Sequence, residues 1–138
     1  MTDFDTKVAV VVRHDLAAWQ RLNVTAFLMS GVVAAAGPDV VGEDYVDADG
    51  VHYLPMLRQP VLVFQATAEK LGTVHARALR RDVAVAIYTS ELFATGHDAA
   101  NRAAVAAVPT GELDLVGLAL RAPHRDVDNV VRGLERHP

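Results

Sequence analysis

The chain of 138 residues has no cysteine, and only 6% of its residues are aromatic. Disulfides, thiolate zinc sites and cysteine nucleophiles are therefore excluded. Charged residues make up 22% and hydrophobic residues 51% of the sequence. This composition excludes a disordered or low-complexity chain and suffices for one hydrophobic core. We expect a single domain over residues 1–138.

The chain also lacks a concentrated basic surface and a long apolar run. Its net charge is −4, and the densest basic group is Arg77, Arg80 and Arg81, which falls short of the basic stripe typical of nucleic-acid-binding proteins. The apolar runs are far shorter than the roughly 20 residues that cross a bilayer. Residues 1–7 are polar and begin no signal peptide. We expect a cytoplasmic protein without a membrane or nucleic-acid partner.

Short, continuous apolar runs predict buried strands. Such runs are typical of strands covered on both faces, as in parallel sheets. Helical patterns separate them, and Asp49-Gly50 predicts the turn of a hairpin over Tyr45–Tyr53. The predicted strands are Val8–Val12, Val61–Phe64, Val83–Ile87 and Leu115–Leu120. The alternation of strand and helix predicts a three-layer α/β/α fold with a four-stranded, mostly parallel sheet and the small hairpin.

Four helices are expected between and after these strands. The first runs from about Leu16 to Ala36 and ends at Gly37-Pro38, with an apolar stripe that we expect to face the sheet. The second covers residues 68–81, the third begins at a capping Asp98, and the last carries a valine stripe from Val127. The stripe of the first helix consists of Leu16, Trp19, Leu22, Ala26 and Phe27, with Asn23 and Ser30 as polar members.

Polar residues follow the predicted strands where an α/β sheet usually binds its ligand. Arg13 and Asp15 end the first strand, and the third is followed by Thr89, Glu91, Thr95 and His97. Three roles are open for these two residues. Arg13 and Asp15 form an ion pair with each other, or they hold a ligand carboxylate or phosphate, or Asp15 caps the first helix. Asn23, expected to be buried, either bonds the neighbouring backbone or faces a wet pocket.

Motifs for metal, nucleotide or serine chemistry are missing. The dipeptides His14-Asp15 and His97-Asp98 have no His-x-x-x-His or Glu-x-x-His partner, so we assign no metal ligands. No glycine-rich phosphate loop or nucleophile elbow occurs, so we predict no cofactor. The remaining candidate for nucleophilic catalysis is Thr95, assisted by His97 or Glu91.

Several stretches resemble the domain of unknown function 2000 family. They are Lys7–Leu16, Trp19–Phe27 and Tyr88–Gly96, and the hairpin and the tail Leu113–Pro138 fit as well. That family is similar in fold to type II peptidyl-tRNA hydrolases, which implies a four-stranded mixed sheet between helices. Arg13, Asp15 and Leu16 match the Arg-x-Asp-Leu start of those hydrolases. Asn23 begins the segment that takes the place of their lysine-led motif.

Two functions follow from these candidates. The first is binding of a small polar ligand at the strand ends by Arg13, Asn23, Thr89, Glu91, Thr95 and His97. The second is hydrolysis of an ester or amide, with Glu91 or Asp15 as base, Asn23 as oxyanion donor and Thr95 nearby. The apolar strands and alanine-rich helices also predict a homo-oligomer, most simply a dimer.

Overall fold

The computed structural model describes residues 5–138, so most of the polar amino-terminal stretch lies outside it. Two elements lead into the main sheet, namely β1 (Thr6–Arg13) and α1 (Ala18–Ala36). A short 3₁₀ turn at Pro38–Val40 then precedes the hairpin. The remaining elements are β2 (Tyr45–Val46), β3 (His52–Tyr53), β4 (Val61–Ala66), α2 (Ala68–Arg80), β5 (Val85–Thr89), α3 (Asp98–Ala106), β6 (Leu115–Pro123), α4 (His124–Val130) and β7 (Glu135–Arg136).

The main sheet has five strands in the order β5-β6-β1-β4-β7. Only β1 and β4 are parallel neighbours, whereas β6 runs antiparallel to both β1 and β5, and β7 antiparallel to β4. The mixed sheet implied by the family resemblance is confirmed, whereas the expected four, mostly parallel strands are corrected to five strands that are mostly antiparallel. The continuous apolar runs correctly predicted that the strands are buried on both faces, but burial does not determine the direction of a strand.

Helices cover both faces of this sheet, as predicted. On the first face, which we call the open face, Val24, Leu28 and Val32 of α1 pack on alternate valines of β1. On the opposite, closed face, α2 and α4 pack together over the other side of the same strands. Leu71 and Val127 are fully buried there. β1 lies at the centre of the sheet and is buried by both layers.

A β-bulge near the start of β6 brings α1 close to the sheet. Tyr88 pairs with Gly117 and Thr89 with Leu115, so Val116 is the additional residue. Gly117 then faces α1, where a Cβ atom would lie 2.5 Å from Cγ1 of Val24 and 3.0 Å from Cδ1 of Leu28. Only glycine therefore fits under this part of the helix.

The helix starts differ from the predicted ones. α1 begins after Ala17, whose backbone N–H donates to Oε1 of Gln20 at 3.0 Å, so Asp15 does not cap it. α3 is capped by His97, whose Nδ1 accepts from the backbone N–H of Ala100 at 3.2 Å. The expectation that Asp98 caps α3 is therefore wrong by one residue, because an imidazole nitrogen can accept from the first turn as a carboxylate does.

The predicted hairpin is confirmed and is held by one side chain. Gly50 has a φ of 83°, in the left-handed region that this tight turn requires. The Asp47 carboxylate accepts from the N–H groups of Asp49 and Val51, each at 3.0 Å, and from the Tyr53 hydroxyl at 2.7 Å. The bond from Tyr53 is the main reason why the pKa of Asp47 lies below its ordinary value. The short strands are exposed on both sides.

Candidate ligand-binding site

The ends of three strands meet at one edge of the sheet. β1, β4 and β5 run in the same direction, and β6 begins at the edge where they end. Nη1 of Arg13 lies 3.3 Å from the carbonyl oxygen of Leu115, and the N–H of Ser90 donates to the carbonyl of Asp114 at 3.0 Å. The predicted strand-end segments therefore converge around the start of β6.

Arg13 is already paired with two carboxylates at this edge. Its Nε lies 2.8 Å from Asp15 and its Nη1 2.9 Å from Asp114, while its side chain is only 17% exposed. The hydrogen bond from Arg13 lowers the pKa of Asp15, and the same bond raises the pKa of Arg13. Of the roles that the sequence left open for Arg13 and Asp15, the structure contains the ion pair. Two anions around one cation leave little attraction for an anionic ligand.

Thr89 is buried at the end of β5. It is 1% exposed, and its hydroxyl has no hydrogen-bond partner within residues 5–138. Because cross-strand partners share a face, its pairing with Leu115 places it beside the closed-face core. A ligand would reach this hydroxyl only after the neighbouring residues moved.

Asn23 does not lie on the buried side of α1. Val24, Leu28 and Val32 face the sheet, and Asn23 is exposed. The expectation of a buried amide is therefore wrong, because the apolar stripe that contained it points outward. In the part of the chain that the structure describes, no hydrogen bond links Asn23 to Arg13 or Glu91.

The segment after β5 is a 3₁₀ turn, Ser90–Phe93, followed by the start of α3. Glu91 is exposed, and its carboxylate lies 3.5 Å from the Ser90 hydroxyl. The Thr95 hydroxyl bonds the carbonyl oxygen of Leu92 at 3.0 Å and also the Asn101 side chain. His97 caps α3. Thr95 and His97 thus hold the segment in place, and Glu91 extends into solvent.

A cavity of about 610 Å³ lies beside this segment, between α1, the second half of β5 and α3. We call it the α1–α3 cavity. It exists because none of the α3 residues is buried, so this helix does not close onto the sheet. Apolar side chains form most of its wall, among them Phe27, Leu28, Tyr88, Leu92 and Val105. Polar groups come from Ser30, Asp98, Asn101 and Arg102.

Aromatic side chains connect this cavity to the start of α1. The ring centroids of Phe27 and Tyr88 are 5.9 Å apart, those of Tyr88 and Phe93 5.2 Å, and those of Phe93 and Trp19 6.1 Å. Burial raises the pKa of Tyr88. Phe93 packs on Tyr88, which forms part of the cavity wall.

Tyr88 is a cavity residue that was not predicted as a ligand contact, because it ends an apolar run and resembles a core residue. Asn101 belongs, with Asp98 and Arg102, to the densest polar cluster of the sequence, which follows the third predicted strand. No signal in the sequence pointed to Asp114, the second partner of Arg13, because 101 residues separate the pair.

Within residues 5–138, histidine, aspartate and glutamate side chains form no group of three or more that could hold a metal ion. No helix in that range has both the length and the apolar character needed to span a membrane.

Known proteins share this fold over nearly the full chain. The family model described as Protein of unknown function (DUF2000) matches residues 6–138. A solved structure of a protein of unknown function from Agrobacterium tumefaciens strain C58 is 47% identical to the chain, with a TM-score of 0.96. The match covers 99% of this chain and 100% of that one. No curated protein sequence matches.

Proposed function

The chain belongs to the DUF2000 family, and we propose that it binds a small organic ligand in the α1–α3 cavity. The apolar body of the ligand would lie against Phe27 and Tyr88, and a polar group would reach Asn101. This places the predicted polar-ligand site beside the end of β5, instead of around Arg13.

The size and lining of the cavity are the observation that supports this proposal. Its volume of about 610 Å³ falls in the range of roughly 300–1,000 Å³ that is usual for small-molecule sites. Such sites combine an apolar wall with a few polar groups that orient the ligand. The α1–α3 cavity has this combination, and it lies next to the predicted ligand segment from Thr89 to His97.

The charges around the cavity favour an uncharged ligand. Asp98 and Arg102 form an ion pair with each other, so neither is a free charge. Asn101 offers an amide, which can donate to or accept from a hydroxyl, carbonyl or amide of the ligand. We therefore propose a neutral molecule with one aromatic or aliphatic portion and one amide or alcohol.

Ester or amide hydrolysis is less well supported by this geometry. Asp15 is a weaker base than an ordinary carboxylate because Arg13 lowers its pKa. Glu91 is exposed and would face a substrate only outside the cavity wall. Similarity to type II peptidyl-tRNA hydrolases, in fold and in chemistry, stays a hypothesis.

The cytoplasmic location stays a prediction.

Ligand binding can be tested by NMR with small aromatic amides and alcohols at millimolar concentration. We expect chemical-shift changes centred on Ser30, Tyr88 and Asn101. An Ala106→Trp variant fills the cavity and should lose these changes. The matched variant Ala103→Trp, on a part of α3 that does not line the cavity, should keep them. Shift changes that are scattered over the surface, or that persist in Ala106→Trp, would contradict the proposal.

A further inference from the structure

Helix α1 is apolar on the side that faces away from the sheet. Among its 19 residues, Arg21 is the only one with a charged side chain. It exposes Trp19 by 62%, Leu22 by 74% and Phe27 by 55%, and Phe27 lies on the flank that lines the α1–α3 cavity. α2, with 13 residues, instead carries charges such as Glu69 and Arg80 on its solvent side. A helix with apolar residues all round is typical of a helix buried on all sides, so the outer side of α1 lacks a partner.

A second apolar surface lies on the hairpin and the chain around it, residues 43–56, which we call the arm. The arm contributes no residue to either core, and in residues 5–138 its strands form their main contacts with each other. Asp47 nevertheless keeps the hairpin ordered through three hydrogen bonds. The exposed apolar side chains of the arm are Tyr45, Val46, Val51, Tyr53, Leu54 and Met56.

A groove beside α1 provides a complementary surface. This α1–β4 groove has a volume of about 570 Å³ and runs between the amino-terminal half of α1 and the sheet. It is lined by Val12 and Val63 of the sheet, by Arg21 and Leu22 of α1, and by His137 and Pro138 after β7. It lies where β4 is covered only in part, since Val61 and Val63 are partly buried against the open-face core.

We propose that two copies of this chain form a dimer in which antiparallel α1 helices pack together and the arm of each copy covers the α1–β4 groove of the other. The arm follows the carboxyl-terminal end of α1, and the groove lies along the amino-terminal half. A two-fold axis across antiparallel α1 helices therefore brings each arm toward the groove of the partner.

Charge complementarity favours a second copy as the occupant. The arm contains Glu43, Asp44, Asp47 and Asp49 and no lysine or arginine. The only formal side-chain charge on α1 is the positive charge of Arg21, which forms no ion pair within the described part of the chain. An acidic arm beside Arg21 would supply this missing partner.

The exposed apolar area of α1 and the arm is also large enough for a dimer interface. Nearly all of the apolar side chains named above expose half or more of their full area. Together they offer on the order of 800 Å² per copy, which is what one partner of a standard protein interface buries.

The test combines oligomeric state with cross-linking. By analytical ultracentrifugation at micromolar concentration we expect a wild-type dimer, and we expect Leu22→Asp and Leu54→Asp each to weaken it by about tenfold or more. Leu79→Asp is the matched control because Leu79 is 49% exposed on α2, away from both surfaces. It should leave the dimer intact. A monomeric wild-type protein, or a dimer that survives both substitutions, would overturn the proposal.

The absence of cysteine allows a direct positional test. Copies with Leu22→Cys are mixed with copies with Leu54→Cys and treated with a short bismaleimide. We expect a cross-linked heterodimer, and none when Leu79→Cys replaces Leu22→Cys. Cross-linking that is equally efficient in both mixtures would contradict the contact between arm and groove even if the protein dimerises. Circular dichroism of each variant separates loss of association from loss of folding.

Discussion

The two faces of the sheet are covered in different ways. On the closed face, α2 and α4 pack on each other and on the sheet, and they bury Leu71, Val74, Val127 and Val130 there. On the open face, α1 is the one long helix among residues 5–138, and a cavity lies on each of its flanks. Both faces use the same strands, so the difference comes from the helices alone.

This difference shows how one small sheet can serve stability and binding separately. Tight packing on the closed face supplies buried apolar area, which stabilises the fold. The incomplete cover on the open face leaves space that a ligand or a second chain can occupy. Both proposals made above concern the open face for this reason.

The strongest way to test the comparison is a matched pair of core truncations. Leu71 of α2 is fully buried on the closed face, while Leu28 of α1 is 2% exposed and lines the α1–α3 cavity. We expect Leu71→Ala to lower the free energy of unfolding by about 3–4 kcal/mol, and Leu28→Ala by about 2 kcal/mol, because Leu28 already borders empty space. Urea denaturation measures both. Equal losses, or a larger loss for Leu28→Ala, would show that the faces are packed alike.

A smaller effect concerns the polar defect in the closed face. The buried hydroxyl of Thr89 has no partner in the described residues, so Thr89→Val should raise the free energy of unfolding by about 1 kcal/mol. Thr95→Val is the control, since that hydroxyl bonds Leu92 and Asn101, and it should destabilise. Thermal and urea unfolding would report both. If Thr89→Val destabilises the protein, the hydroxyl has a partner that stabilises the folded state.

The smallest expected effect is a pH dependence on the closed face. Burial lowers the pKa of His75 in α2 below 6.5, so the folded protein resists protonation of this side chain more than the unfolded chain does. This contribution to stability is present above pH 6.5 and is lost as the pH falls below it. We expect the urea midpoint to fall gently between pH 7.5 and 5.5, and less in His75→Gln. Identical pH profiles for the two proteins would remove His75 as the cause.

Local patterns in the sequence predicted most elements of the fold. The apolar runs predicted β1, β4, β5 and β6, and Gly37 correctly marked the end of α1. β7 was missed because Glu135 and Arg136 are polar and exposed, and only backbone pairing with Phe64 and Gln65 makes them a strand. Strand direction was missed because it depends on how the chain returns to the sheet.

The orientation of α1 could not be predicted from its pattern. Trp19, Leu22 and Phe27 were expected to face the sheet, yet Val24, Leu28 and Val32 do. Apolar residues surround this helix, so its periodicity does not favour one side. The same property explains why the cavity residues were only partly identified, since they depend on which side of α1 packs against the sheet.

The central position of β1 has a consequence for how the protein is made. β1 pairs with β6 over Thr6–Val12 and Gly117–Pro123, so strands from opposite ends of the chain meet in the middle of the sheet. Until β6 has been synthesised, β5 has no neighbour and β1 lacks one of its two. Contacts between such distant segments form slowly. A nascent chain would therefore hold β5 and one edge of β1 unpaired until β6 has left the ribosome, and chaperones would have these strands to protect.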